Sequence, residues 1–464
     1  MCTTVIVGKK ASLNGKTIIA RNEDSHVAIN PKKLEVVKAD TIKNRVHKSV
    51  LTGVEVKLPE KSYTYTAMPD VISDTYNNGR FSEASVNEMK VAVSSTESLY
   101  GNERVLAYDP LVENGIAEDA INDIVAPYIN SAKEGVELLG KYIEKYGSAE
   151  GNGILFSDMD EVWYMEIPTG HHWVAVRIPD DHYGIAPNCV CIEQIDFNSD
   201  DYLYSTGIRE FVEKYNLNPY PHEFNFRKIF GTSTELDRVY NTARAWFSHR
   251  YLDKNFNESP ISSDIPFLNK ADRLISIEDV QYILSSHYNE TNYDPIGKYG
   301  TELERTRFRA ISLSRTQQSH VIEIDELPVK WVAMATTAFT PYVPFFTDVD
   351  DIPEEYRDTP YKINMKYAYW LFKVFSYYVE THYNMFSKEN TKYLENMRAY
   401  ARRRVFEIKE NSKNIKGSEL RTYLTKENEK TVEYILNETR NLLDDFMQRA
   451  LSVSKMSFTM DKNL

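Results

Sequence analysis

A cysteine directly behind the initiator methionine can serve as nucleophile and base at once. Cys2 is small enough to let Met1 be trimmed, and it would then be the first residue of the chain. Its free α-amine, titrating at roughly 7.7–8.0 in model compounds, could take the thiol proton near neutral pH. One residue thus supplies the machinery for acyl transfer, with a thioester as the intermediate. No other arrangement competes with it. The sequence has no H-E-x-x-H, no complete P-loop, no G-x-G-x-x-G and no G-x-S-x-G, since Gly231-Thr232-Ser233-Thr234-Glu235 misses the last by its final residue. The histidines are scattered, and His171 and His172, adjacent on an expected strand, should face opposite ways. Cys189 and Cys191 would share a strand face but lack the second ligand pair of a zinc site, so they read as structural thiols.

The nucleophile needs a rigid platform, and the surrounding residues supply one. Cys2 to Val7 and Thr17 to Ala20 are β-forming runs separated by Gly8 and the Asn14-Gly15 turn signal, which predicts a hairpin starting at residue 2. Further strands are expected at 34–38, 53–58, 62–67 and 90–94, so the chain opens as a sheet. Ser131 to Glu134 has capping-box spacing, and Val136, Leu139 and Ile143 recur at helical intervals until Gly147. Three strands then follow at 153–157, 161–167 and 171–178 as an antiparallel meander. Residues 205–300 read as a partly helical insertion, with a helix over Leu236 to Phe247. Strands return at 321–324 and 329–335, and the chain is helical from about Tyr361. Val432, Ile435, Leu436, Leu442, Leu443 and Phe446 stripe the last helix as core.

Bulk properties narrow the partners. A net charge of −13, with the acids spread along the chain, excludes nucleic acid or an anionic membrane as the main partner, because both demand a basic face. Arg402-Arg403-Arg404 reads as a solvated helix face. No secretory signal or run of about 18 apolar residues is present, and three cysteines offer no disulfide framework, so a cytosolic location is expected. The 32 tyrosines suit half-buried surface or subunit contact in a homo-oligomer. The acidic stretch 348–355 lacks the spacing of a calcium loop.

Met1-Cys2-Thr3-Thr4-Val5-Ile6-Val7-Gly8, followed by Ile18-Ile19-Ala20-Arg21-Asn22-Glu23-Asp24, resembles the opening of the dipeptidase A family of cysteine N-terminal-nucleophile (Ntn) hydrolases, relatives of penicillin V acylases and bile salt hydrolases. The resemblance implies that Arg21 and Asp24 flank the nucleophile. A guanidinium near sulfur favours thiolate, and a carboxylate near the terminal amine orients it. Glu83 to Glu88 and Tyr183 to Asn188 extend the likeness, and imply an oxyanion hole from the Asn87 backbone N–H and the Asn188 side chain. Arg315, within Ser312 to His320, matches the relatives' second arginine, with Arg309 close enough to compete. The segment 170–177 and Trp331 resemble family scaffold.

The resemblance implies an α+β fold: a four-layer α-β-β-α sandwich with added helices, the catalytic unit spanning 1–350 and a helical extension 351–464. It implies a cysteine-type dipeptidase that needs no metal or organic cofactor and acts on dipeptides. Action on another acylated amine, or an inert member serving as an interaction protein, stays open, as does a metallopeptidase with unrecognised ligands.

Overall fold

The computed structural model describes residues 2–41, 45–71, 80–220 and 222–454. The chain opens with the antiparallel hairpin β1 (Thr3–Val7) and β2 (Thr17–Asp24), then runs through β3 (Glu35–Val37), the small ribbon β4 (Val46–Lys48) and β5 (Glu55–Lys57), and β6 (Tyr65–Pro69). A second hairpin, β7 (Ser82–Asn87) and β8 (Ala92–Glu97), precedes the helices Glu118–Val125 and Ala132–Tyr146. The expected meander follows as β9 (Asn152–Ser157), β10 (Val162–Ile167) and β11 (Val174–Arg177), then β12 (Tyr183–Ala186), β13 (Tyr202–Tyr204) and β14 (Leu268–Asn269). After a mostly irregular stretch with two short helices come β15 (Thr316–Ile324), β16 (Val329–Met334) and β17 (Val343–Phe346), and four helices, the first a single turn at Glu354–Arg357, end the described chain.

Two antiparallel sheets result, ordered β14-β12-β1-β2-β15-β16-β17 and β13-β11-β10-β9-β8-β7-β6-β3. They pack face to face, and helices cover both outer faces, giving the four-layer α+β sandwich expected from the sequence. Alternation along the strands creates the layers. Leu155 and Tyr164 enter the core shared with the other sheet, whereas Ile154, Phe156, Trp163 and Met165 pack under Ile121, Ile124, Val136, Leu139 and Ile143 of the two helices. The helix Ala132–Tyr146 lies so close that a Cβ on Gly140 would come within 2.2 Å of the Trp173 ring. Its Ser131 cap accepts from the Glu134 N–H at 3.2 Å, but the Glu134 carboxylate takes the Asn130 N–H at 2.7 Å instead of closing the expected box.

Two expectations need correction. The segment 53–58 does not join a main sheet: Glu55–Lys57 pairs only with Val46–Lys48, because one buried residue, Val56, cannot anchor it. His171 and His172 precede β11 in a turn, where Asp109 binds the His171 ring and Ser205 the His172 ring. At the C-terminal side, Asn428 on the helix Gly417–Val453 exchanges two hydrogen bonds with the Phe346 backbone of β17. No described helix is long and apolar enough to cross a membrane.

Candidate active site

β1 is an interior strand, flanked by β2 and β12, so the residue just before its first paired position is held from both sides. That residue is Cys2, 1% exposed. Its carbonyl accepts a hydrogen bond from Arg244 Nη1 at 2.8 Å, and its Sγ lies 2.9 Å from Thr96 Oγ1 near the end of β8. The thiol therefore points between the sheets while the backbone is gripped from the helical side. Met1 lies outside the described residues.

Arg21 sits opposite Thr4 in the β1–β2 register and so shares the intersheet face with Cys2. Its guanidinium donates to Thr4 Oγ1 at 2.9 Å, Ser94 Oγ at 3.1 Å and the Gly153 carbonyl at 2.9 Å. Burial lowers its pKa, and the facing Cys2 opposes that shift more than any other group. His320, beside it, is held neutral by burial and then by Arg21, with Nε2 2.9 Å from Ser94 Oγ. It packs as a spacer. Extending the register by one pair sets Glu23 opposite Cys2 and leaves Asp24 just past the Cys2 nitrogen. The Asp24 carboxylate accepts from Arg309 and from the Thr316 hydroxyl, which fix its orientation.

The remaining wall comes from a helix with an irregular start. Arg238–Thr242 forms a π turn leading into the α-helix Ala243–Leu252. Such widened turns re-aim side chains and are frequent at functional sites. Here the turn presents Asn241 and, just after it, Arg244, which is fully buried. Arg244 donates to the Cys2 carbonyl, to Thr3 Oγ1 at 2.9 Å, to Asn188 Oδ1 at 2.8 Å and to Asn241 Oδ1 at 2.7 Å. Burial and then Arg309 push its pKa down to about 9, so it stays cationic at neutral pH. The Asn241 side chain also accepts from the Asn188 backbone N–H and donates to the Asn188 carbonyl. With its Oδ1 held by Arg244, the Asn188 side chain keeps a buried Nδ2 without a hydrogen-bond partner.

The structure gathers Cys2, Arg21, Asp24 and Asn188 but not Asn87 or Arg315. Asn87 lies opposite Val91, about 17 Å along β8 from Thr96 by strand rise. Its backbone N–H is already given to the Val91 carbonyl, and its amide bonds the carbonyls of Ala126 and Ile129, so it closes a turn. Arg315 donates to the Ser25 carbonyl at 3.3 Å, one residue beyond Asp24, while Arg309 takes the carboxylate.

The family model for peptidase family C69 matches residues 1–396. The chain belongs to peptidase family C69. A probable dipeptidase of Latilactobacillus sakei is 48% identical, covering 100% of this chain and 98% of its own length. Probable dipeptidase B of Lactococcus lactis subsp. lactis is 38% identical over 98% of this chain and 97% of its own. Among solved structures, penicillin V acylase from Agrobacterium tumefaciens aligns with a TM-score of 0.35 and 15% identity, over 74% of this chain and 86% of that one.

In this C69 chain the arginine on the Cys2 carbonyl escaped the sequence reading. Its signal is the polar series Asn241, Arg244, Ser248 at helical spacing inside an otherwise apolar segment, and that pattern is easily taken for a solvated face. Also unseen was a buried cluster next to Cys2: Lys32 Nζ binds Glu23 at 2.6 Å, Glu83 at 2.9 Å and Asp70. Cys189 and Cys191 follow Asn188 with their sulfurs 3.7 Å apart, outside any strand. Tyr100, 45% exposed and in electrostatic reach of Glu97, Tyr240, Arg244 and Cys2, forms part of the rim.

Proposed function

We propose that Cys2 of this chain, freed of Met1, hydrolyses the peptide bond of dipeptides. The observation that carries the mechanism is the buried, unpartnered Nδ2 of Asn188, fixed by Arg244, which also holds the Cys2 carbonyl. The Cys2 amine takes the thiol proton, and Sγ attacks the substrate carbonyl, whose oxygen gains negative charge. Asn188 Nδ2 donates to that oxyanion, and the Arg21 charge favours the thiolate. Asp24, held by Arg309 and Thr316, steadies the ammonium. The ammonium then protonates the departing amine as the C–N bond breaks. Water, losing a proton to the Cys2 amine, attacks the thioester, and the thiol leaves with that proton restored.

The names of the relatives support dipeptides as the substrate class. The interleaving of β1, β2 and β15 supports reading 1–350 as the catalytic unit, with the insertion near 205–300 supplying Arg244 and 351–464 as a helical extension. The low cysteine count supports work in the cytosol.

The test is hydrolysis of a dipeptide panel in excess chelator by the trimmed enzyme and by Cys2→Ala. Cleavage by the first alone, unaffected by chelator, is expected. Cleavage by both removes Cys2 from the mechanism, and cleavage by neither removes dipeptides as the substrate. Intact mass reports Met1, and a homogeneous sample retaining it should be inactive, because its base is locked in an amide.

A further inference from the structure

A dipeptide carries a free ammonium one carbon away from the scissile carbonyl, a span of about 2.5 Å. Whatever binds that ammonium must therefore adjoin the nucleophile. Immediately past Thr96, whose hydroxyl meets the Cys2 thiol, the carboxyl groups of Glu97, Glu118 and Glu150 come together with no lysine or arginine on them among the described residues. The Glu118 carboxylate accepts from the Glu97 N–H, and the Glu150 carboxylate accepts from the Glu118 N–H at 2.6 Å. Among the described residues no lysine or arginine pairs with any of the three, and the one basic partner is His26, Nε2 3.9 Å from Glu97.

A fourth acceptor points the same way independently. Asn152 lies opposite Glu97 in the β8–β9 register, so the two side chains share a face. Asn152 is fully buried; its Nδ2 donates to the Glu150 carbonyl at 3.2 Å, and its Oδ1 has no hydrogen-bond partner. A buried acceptor without a hydrogen-bond partner, beside three carboxyl groups that no described lysine or arginine neutralises, calls for a ligand with several N–H donors and a positive charge. A metal ion fits less well. The described acidic group with oxygens close enough to share an ion is Glu23, Asp70 and Glu83, and Lys32 Nζ already fills it. Lys32 thus neutralises one acidic group beside Cys2 and leaves the other open.

We propose that Glu118, with Glu97, Glu150 and Asn152, binds the α-ammonium of the substrate's first residue. The inference rests on the dipeptidase reading and assigns its amine-binding end. Titration behaviour agrees. Burial first, and then Glu83, pushes Glu118 up to about 7; burial and then Glu118 push Glu150 up to about 8. These carboxyl groups therefore hold protons near neutrality that an arriving ammonium displaces.

The experiment compares the best dipeptide of the panel with its des-amino counterpart, lacking only the α-amine, in trimmed wild type and in Glu118→Gln. Wild type should favour the free amine by at least about 100-fold in kcat/KM. Glu118→Gln should lose about 30- to 100-fold on the dipeptide, mainly in KM, with the des-amino compound changed less than about threefold. Equal losses on both compounds, or a wild type indifferent to the amine, overturns the pocket while leaving the dipeptidase reading intact. A wild type that cleaves no dipeptide overturns both. Should Glu118→Gln not fold, Glu97→Gln carries the same comparison, with the same outcomes decisive.

Discussion

Replacing Arg244 by lysine would keep a positive charge and lose a planar fork that serves four acceptors on three segments. Lysine cannot reach Cys2, Thr3, Asn188 and Asn241 together, so Asn188 loses its anchor and its Nδ2 its aim. Arg244→Lys should lower kcat by about 100- to 1000-fold, the scale of one lost oxyanion donor, with a much smaller change in KM. Steady-state kinetics on a dipeptide decides it, and near-normal kcat would sink the role. Local adjacency decides which site residues could be read from sequence. Cys2, Arg21 and Asp24 lie on one hairpin, where strand register converts spacing into proximity. Arg244 and Glu118 arrive from segments far along the chain; the polar spacing around Arg244 reads as a solvated face, and nothing in the local sequence marks Glu118. Asn87 shows the converse. Its type suits an oxyanion donor, but a turn takes its backbone N–H and the Ala126 and Ile129 carbonyls take its amide.

Elements with a single buried face were legible, since alternation and helical spacing encode burial directly. The meander and the helix Ala132–Tyr146 are of this kind. The ribbon β4–β5 and the π turn were not, because one depends on tertiary pairing and the other is a one-residue departure within a helical pattern. The strand β16 carries a conflict that alternation alone could not reveal. Lys330 is 1% exposed between the sheets, with only the Ala84 carbonyl at 3.3 Å for its ammonium. Burial pushes its pKa down to about 7. Below that pH the folded state must hold a charge it disfavours. Between about 7 and the unfolded value near 10.4 the folded chain releases the proton first, and stability rises with pH. Lys330→Met should therefore stabilise the protein below pH 7 by on the order of 3–5 kcal/mol, with the gain vanishing above about pH 10.5. Denaturant melts at pH 6 and pH 11 test this, and an equal effect at both would refute it.

Across the whole molecule, a net charge of −13 is accommodated partly by carboxyls that hold protons inside the fold. Glu23 and Glu118 are raised to about 7 and Glu150 to about 8, in each case chiefly by burial. A raised carboxyl gives stability that is complete below its unfolded pKa, near 4.3, and lost as pH climbs through its folded value. The unliganded protein should lose thermal stability between about pH 4.5 and pH 8. Glu150→Gln should raise Tm by a few degrees at pH 8.5 and leave it unchanged at pH 4. An unchanged difference between the two pH values would refute the linkage. The four-layer arrangement itself was legible through the family resemblance of the first hairpin; the pairing order of 15 main-sheet strands was not, because it depends on contacts far apart in sequence.

The central position of β1 has a practical consequence for making the protein. Cys2 heads a strand in the middle of a seven-stranded sheet and is 1% exposed. An amino-terminal affinity tag would hold the Cys2 nitrogen in an amide, which under the mechanism proposed above removes its base. Leu451 and Val453, at the end of the last described helix, are exposed, which favours a tag on the carboxy-terminal side. Fusion partners, display formats and immobilisation chemistries for this enzyme should all be attached on that side, leaving the Cys2 amine free.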